Sequence, residues 1–213
     1  MPTTITRYID HYEVPNVLTH GFGALLCLIA VPILLWQASF TVDHQQLFGL
    51  SVFGGSMFLV YLSSTLYHSA RRPRLKYNLQ VLDHISIYFL IAGTHTPFLL
   101  YYLNNATGWF YLAVLWGMVL VGTLYKLFFF GKLPWFSLIF YIGMGWMAIF
   151  TIPHMLDNMS FDCLWWIIAG GISYSVGVIF YQWRKLPYSH AIWHLFVIGG
   201  SAGHYLAMLE MVR

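Results

Sequence analysis

His190 and His194 stand four residues apart in the segment SHAIWHLF. On a helix, that spacing sets both imidazoles on one face, about 6 Å apart along the axis. Two such rings can share one ion; the alternative is a pair of histidines hydrogen-bonded to neighbouring helices. His68 closes another apolar run in SSTLYH, and Asp83 opens the next in LDHIS. Three imidazoles with an open fourth position make the ligand shell of a catalytic zinc site, whereas structural sites close all four positions with protein ligands. Asp83 beside such an ion can take a proton from an attacking water or orient it. It can equally serve as a carboxylate facing the macrodipole of its own helix. Ser64, one turn before His68, can bond the water, a substrate carbonyl or its own i−4 carbonyl.

These residues meet only if the chain crosses a bilayer. It has 213 residues, 59% hydrophobic and 8% charged, with a mean hydropathy of +0.68. A soluble domain carries roughly 25% charged residues, so this composition cannot cover a water-facing exterior. A membrane-crossing helix needs ~20 mostly apolar residues. Such runs lie at about 17–39, 47–69, 81–103, 108–130, 135–155, 163–183 and 190–211. The expected fold is all-α: a single domain over 1–213, an integral membrane bundle of seven transmembrane helices. Ahead of it lies a short polar segment, 1–16, expected along the membrane surface, where Val14-Pro15-Asn16 predicts a turn feeding the first helix. The first apolar run exceeds the ~7–15 residues of a signal h-region and is read as a retained span.

Lys and Arg placement sets direction. Arg71, Arg72, Arg74 and Lys76 fill the second connection, Lys126 and Lys132 flank the fourth, and Arg184 and Lys185 open the sixth. Arg7 precedes the first span, and Arg213 alone falls on the other side. The pattern puts the N-terminus in the cytoplasm and the C-terminus outside. Trp36, Tyr101, Tyr102, Trp109, Trp135, Trp165, Trp166 and Trp183 fall near expected helix ends, where amphipathic rings favour the interface. In this arrangement His68, Asp83, His190 and His194 share one depth near the cytoplasmic face. Ionisable groups at membrane depth are costly and usually functional.

Other polar residues stand apart. His204 lies ten residues past His194, hence ~15 Å deeper, and cannot share the same ion. His95, twelve residues past Asp83, is likewise deep; both suit core hydrogen bonding, a second polar pocket or a proton path. Glu13, Asn16 and His20 gather at the mouth of the first span, to line the cavity or to cap the helix. Cys27 and Cys163 have neither CxxC spacing nor a disulfide pattern. No HExxH, P-loop or dinucleotide glycine pattern occurs, and no GxSxG elbow, since the GGSAG at 199–203 lies inside the last apolar run rather than at a strand-to-helix turn. No basic patch with stacking aromatics points to nucleic acid. The glycine-rich patches GGS at 54–56, GMG at 143–145 and GGIS at 170–173 suit close helix packing.

The motifs THGFGALL, SSTLYH, LDHISIY and HAIWHLFVIGGSAGHY resemble those of the hemolysin III proteins, the bacterial branch of the progestin and adipoQ receptor (PAQR) superfamily. The resemblance spans essentially the whole chain. It implies a bacterial cell-membrane location and seven helices with a cytoplasmic N-terminus. It also implies zinc on His68, His190 and His194, with Ser64 and Asp83 in the adjacent roles and His204 outside the ligand set. Kinship with alkaline ceramidases implies lipid amide hydrolysis. The long N-terminal region of the animal receptors has no counterpart here, so receptor signalling is not expected to transfer.

Three functions follow as expectations. The first is a zinc-dependent hydrolase acting on an amide or ester of a membrane lipid, with Asp83 as base and Ser64 placing water or oxyanion. The second is a non-enzymatic sensor or regulator of membrane state or energetics, with zinc fixing the helices. The third is a cytolytic pore, although no span carries a polar stripe suited to a wide channel. Membrane lipids are the expected partners, and no protein partner is implied.

Overall fold

The starts of four helices are written in local chemistry. Asp43 accepts from the Gln46 amide while Gln46 returns a bond to the Asp43 backbone, a reciprocal capping box. Asn105 accepts from the amides of Thr107 and Gly108, and Ser160 from that of Cys163. Pro73 sits at a first helical position, where its missing N–H costs nothing. The computed structural model describes residues 4–132 and 134–213, with side chains over 12–132 and 135–213.

The resulting helices are α1 (Thr4–Ala38), α2 (His44–Ser69), α3 (Pro73–Tyr102), α4 (Ala106–Phe129), α5 (Pro134–Gly145), α6 (Ala148–Thr151), α7 (Phe161–Gln182) and α8 (Ser189–Met211). A 3-10 turn, Ile152–His154, follows α6. No strand occurs among the described residues. Six described segments are long and apolar enough to cross a membrane, and the broken fifth one, Trp135–His154, is among them. α3 completes the seven at 30 residues. It is less apolar because it carries Asp83, His84 and His95, and it can be, since it packs on α2, α4, α5 and α8. The chain is an all-helical, multi-pass membrane protein. Trp36, Phe128, Ile139, Trp165 and Ile172 are exposed on its outside, as a lipid-facing surface requires.

Two expectations need correction. The turn at Val14-Pro15-Asn16 is absent: α1 runs through Pro15. Pro15 costs that helix one backbone bond, the one its missing N–H would donate, and Thr19 Oγ1 donates to the Pro15 carbonyl at 2.8 Å one turn on. The backbone of 4–16 is therefore part of the first helix and not a separate surface segment. The side chain of Arg7, counted for orientation, lies outside the described residues. α3 also begins at Pro73 rather than near 81, so the polar RRPRLKYNLQ stretch is mostly helix.

α1 packs against both α2 and α8, and α7 packs along α8. The last pair meets backbone to backbone: a Cβ at Gly203 would lie 2.9 Å from Gly170 Cα. Cys27 and Cys163 are free and buried.

Candidate metal centre

α2 ends, and α3 and α8 begin, at one end of the bundle, the end that also holds the first half of α1. His68, in the last turn of α2, thereby faces His190 and His194, in the first turns of α8. Their nearest ring nitrogens all lie within 4.8 Å of one another. His68 Nε2 and His190 Nε2 are 3.2 Å apart. Two nitrogens on one tetrahedral zinc, each at ~2.0–2.1 Å, stand about 3.3–3.4 Å apart, so the spacing suits a shared ion. His194 is buried, and its Nε2 has no hydrogen-bond partner among the described residues. A buried polar atom left so is unusual, and a metal lone-pair acceptor would account for it.

Two of the three rings are keyed from behind. Glu13 Oε2 lies 2.5 Å from His68 Nδ1, and Glu13 Oε1 lies 2.5 Å from Lys76 Nζ. The carboxylate has no proton to give, so His68 carries its proton on Nδ1 and presents a bare Nε2. Thr19 Oγ1 sits 3.0 Å from His194 Nδ1. That hydroxyl's single proton already goes to the Pro15 carbonyl, so it accepts from Nδ1–H and leaves His194 Nε2 bare as well. Such outer partners fix the tautomer and orientation of metal-binding histidines. Both come from α1. Asn16 Nδ2 stands 3.4 Å from Glu13 Oε2 and from His68 Nδ1. His20 is buried and stacks on His194, with ring centroids 3.5 Å apart and planes 13° from parallel. Its nitrogens have no hydrogen-bond partner among the described residues. Neither Asn16 nor His20 caps a helix, since α1 begins well before them.

Asp83 is buried on α3 but stays outside the group of mutually close ligand atoms. Its carboxyl lies beside the Ser64 hydroxyl, which is buried and completes no hydrogen bond among the described residues. The back-bond from Ser64 to its own helix is thus not formed, whereas Ser63 bonds the Val60 carbonyl at 3.1 Å and Ser86 Oγ at 3.0 Å. His204 Nδ1 donates to the Gly200 carbonyl at 2.8 Å. His95 reaches the backbone at Met144 and Gly145, where the fifth span breaks. Both use their rings in core hydrogen bonding, away from the triad.

The haemolysin-III related family model matches residues 8–205. The chain belongs to the hemolysin III family of the PAQR superfamily. It is 44% identical over 210 residues to Hemolysin-3 of Bacillus cereus, covering 99% of this chain and 95% of that protein. The Hemolysin-3 homolog of Bacillus subtilis (strain 168) is 41% identical over 197 residues, 92% of each chain. The human monocyte to macrophage differentiation factor is 30% identical over 203 residues, 91% of this chain and 81% of that one. Within this hemolysin III protein, Thr19 escaped sequence reasoning and Lys76 figured only as a loop charge. No short-range spacing links Thr19 to a histidine 175 positions away, or Lys76 to a glutamate 63 positions away.

Proposed function

We propose that this chain, as one seven-helix domain, is a zinc-dependent hydrolase of the bacterial cell membrane that cuts an amide or ester bond in a membrane lipid. In this reading the N-terminus and the histidine cluster face the cytoplasm. The observation that carries it is the set of three close imidazoles, two of them locked by Glu13 and Thr19 with Nε2 turned inward. His68, His190 and His194 would hold the zinc, which when bound would supply a Lewis acid and acidify water at neutral pH. Three histidines without a fourth protein ligand match the donor set of catalytic rather than structural zinc sites. Asp83 accepts the proton of the attacking water. Ser64, buried with an unspent hydroxyl, orients that water or donates to the developing oxyanion. Glu13 and Thr19 keep the ring protons on Nδ1, and Lys76 holds Glu13 in place.

The test is metal analysis of purified protein together with fatty-acid release from a panel of ceramides and acyl esters. Zinc at one per chain, lost in His190→Ala/His194→Ala, and turnover abolished by Asp83→Asn with zinc retained, support the assignment. Zinc without turnover on any lipid removes the hydrolase.

One observation favours a second reading. Asp83 does not reach the ligand group, which suits zinc that fixes helices in a sensor of membrane state. Substituting His194 by Ala then collapses thermal stability, while Asp83→Asn leaves function intact. The relatives' name implies lysis, and conductance across planar bilayers by the purified chain would establish a pore instead.

A further inference from the structure

At the same end of the bundle, a second chamber opens between α3, α4, α5 and α7. Its volume is about 90 Å³, and its walls include His84, Lys126, Gly131, Ser137, Tyr141 and Tyr181. Lys126 is buried there, in the last turn of α4. Ion pairs among the described residues join Glu13 to His68 and Lys76, and Glu210 to Arg213, so Lys126 has no carboxylate partner. Its ammonium sits instead over the rings of Phe130 and Tyr141, 5.2 and 5.9 Å from their centroids. Ring faces attract a cation but do not neutralise it, and buried charges are normally paired.

A second orphan faces the same space. Ser137 is buried with its hydroxyl beside that of Tyr88, and neither hydroxyl completes a hydrogen bond among the described residues. Tyr141 is already spent, donating to the His84 carbonyl at 2.8 Å. His84 donates from Nδ1 to the Gln80 carbonyl at 2.7 Å, leaving Nε2 for the chamber. An unpaired ammonium and an unpaired hydroxyl in one small cavity call for an acceptor that carries negative charge.

We propose that this chamber is an oxyanion subsite that takes the carboxylate or phosphate head of a membrane amphiphile. Lys126 supplies the charge and Ser137 a hydrogen bond. A lipid source fits the position, since the last turns of α4 and α7 and the first half of α5 wall the chamber beside α3, and the volume holds a head but no chain. One ring separates it from the histidines: Tyr181 lines the chamber and its centroid lies 6.2 Å from that of His190. The subsite does not depend on metal occupancy and stands apart from the hydrolase reading.

The test is native mass spectrometry of the detergent-purified protein with phosphatidylglycerol, oleate or phosphatidylcholine, beside thermal unfolding with inorganic phosphate. Charge-assisted bonds predict retention of the two anionic lipids about 10- to 100-fold above phosphatidylcholine. Lys126→Met abolishes that preference, while the exposed Lys132→Met keeps it. Ser137→Ala weakens it several-fold and decides the matter should Lys126→Met fail to fold. His190→Ala/His194→Ala retains the preference, which separates this result from the fate of the metal reading. Stabilisation by inorganic phosphate that needs Lys126 keeps the subsite and assigns it a soluble anion. Equal retention of neutral and anionic lipid by the wild type, or an unchanged preference in Lys126→Met or Ser137→Ala, overturns it.

Discussion

Replacing Glu13 by glutamine separates the two jobs this residue holds. One is an ion pair with Lys76, whose side chain keeps 31% of its exposure; pairs so placed are worth ~0.2–1 kcal/mol. The other is to hold the Nδ1 proton of His68 and so turn Nε2 toward the shared ion. Loss of such a partner costs ~10–100-fold in metal affinity, which is about 1.4–2.7 kcal/mol. The second effect exceeds the first, so Glu13→Gln should weaken zinc binding far more than it lowers the stability of the metal-free protein. Glutamine keeps the length of the side chain and can still accept through its carbonyl, which places the expected loss toward the lower end. The assay is competition for zinc against a chromogenic chelator in detergent at fixed pH, paired with thermal unfolding after chelation. Two controls frame it. His68→Ala removes a ligand and should abolish competition, and Lys76→Met removes the ion pair while sparing the carboxylate. An unchanged zinc affinity in Glu13→Gln, with binding lost in His68→Ala, refutes the reasoning from the second shell. A fall in Lys76→Met equal to that in Glu13→Gln refutes it too, because charge on the carboxylate's far side would then be setting the affinity.

Three further outcomes are expected. Thr19→Val deprives His194 Nδ1 of its acceptor and should lower zinc affinity about tenfold, whereas Thr19→Ser should restore it in the same competition assay. Gly203→Val would drive a side chain into the Gly170 backbone, 2.9 Å from the added Cβ, and should cost ~1–3 kcal/mol in thermal unfolding, while Gly171→Ala, with open space beside it, should be neutral. Single cysteines at Asn104 and Arg72, in a chain with Cys27 and Cys163 replaced by Ala, test direction: an impermeant thiol reagent on intact cells should label the first and not the second.

The helices were legible because lipid demands long apolar runs: six of the seven runs are each one helix, and the fifth is a broken one. Their ends were less so. Hydropathy reports which residues suit hydrocarbon and is silent on helix that continues into water. Thus α3 starts at Pro73 although RRPRLKYNLQ reads as a loop, and α1 passes through Pro15 although Val-Pro-Asn reads as a turn. The interruption after Gly145 was hidden for a related reason, since Gly-Trp-Met is as apolar as its flanks. At the site, the pair His190 and His194 was readable from helical period alone, and His68 from its place at a span's end. Glu13 was seen only as one of a polar group at the mouth of α1. Its partner could not be named, because the contact depends on the rotation of α1 about its axis, which periodicity leaves undetermined.

That rotation matters for how the centre works. The three candidate ligands come from α2 and α8, yet the groups that hold the ring protons of His68 and His194 both come from α1, from positions 13 and 19. These are six residues apart, which on a regular helix is about 9 Å along the axis, so one helix serves two rings at two depths. His20, next to Thr19, then lays its own ring flat on His194. Any shift of α1 along or about its axis therefore acts on His68 and His194 together. Asp83 and Ser64 lie on α3 and α2, and among the described residues neither hydrogen-bonds a residue of α1, so the proposed base and its serine are mechanically separate from the helix that keys the histidine rings. A helix that keys the ligand rings without supplying a ligand is one through which bilayer thickness or a neighbouring lipid can alter metal affinity while the ligand set stays intact. This couples the hydrolase and sensor readings physically: the same α1 movement that weakens zinc would silence hydrolysis, and a disulfide tying α1 to α2 should make zinc affinity insensitive to lipid chain length.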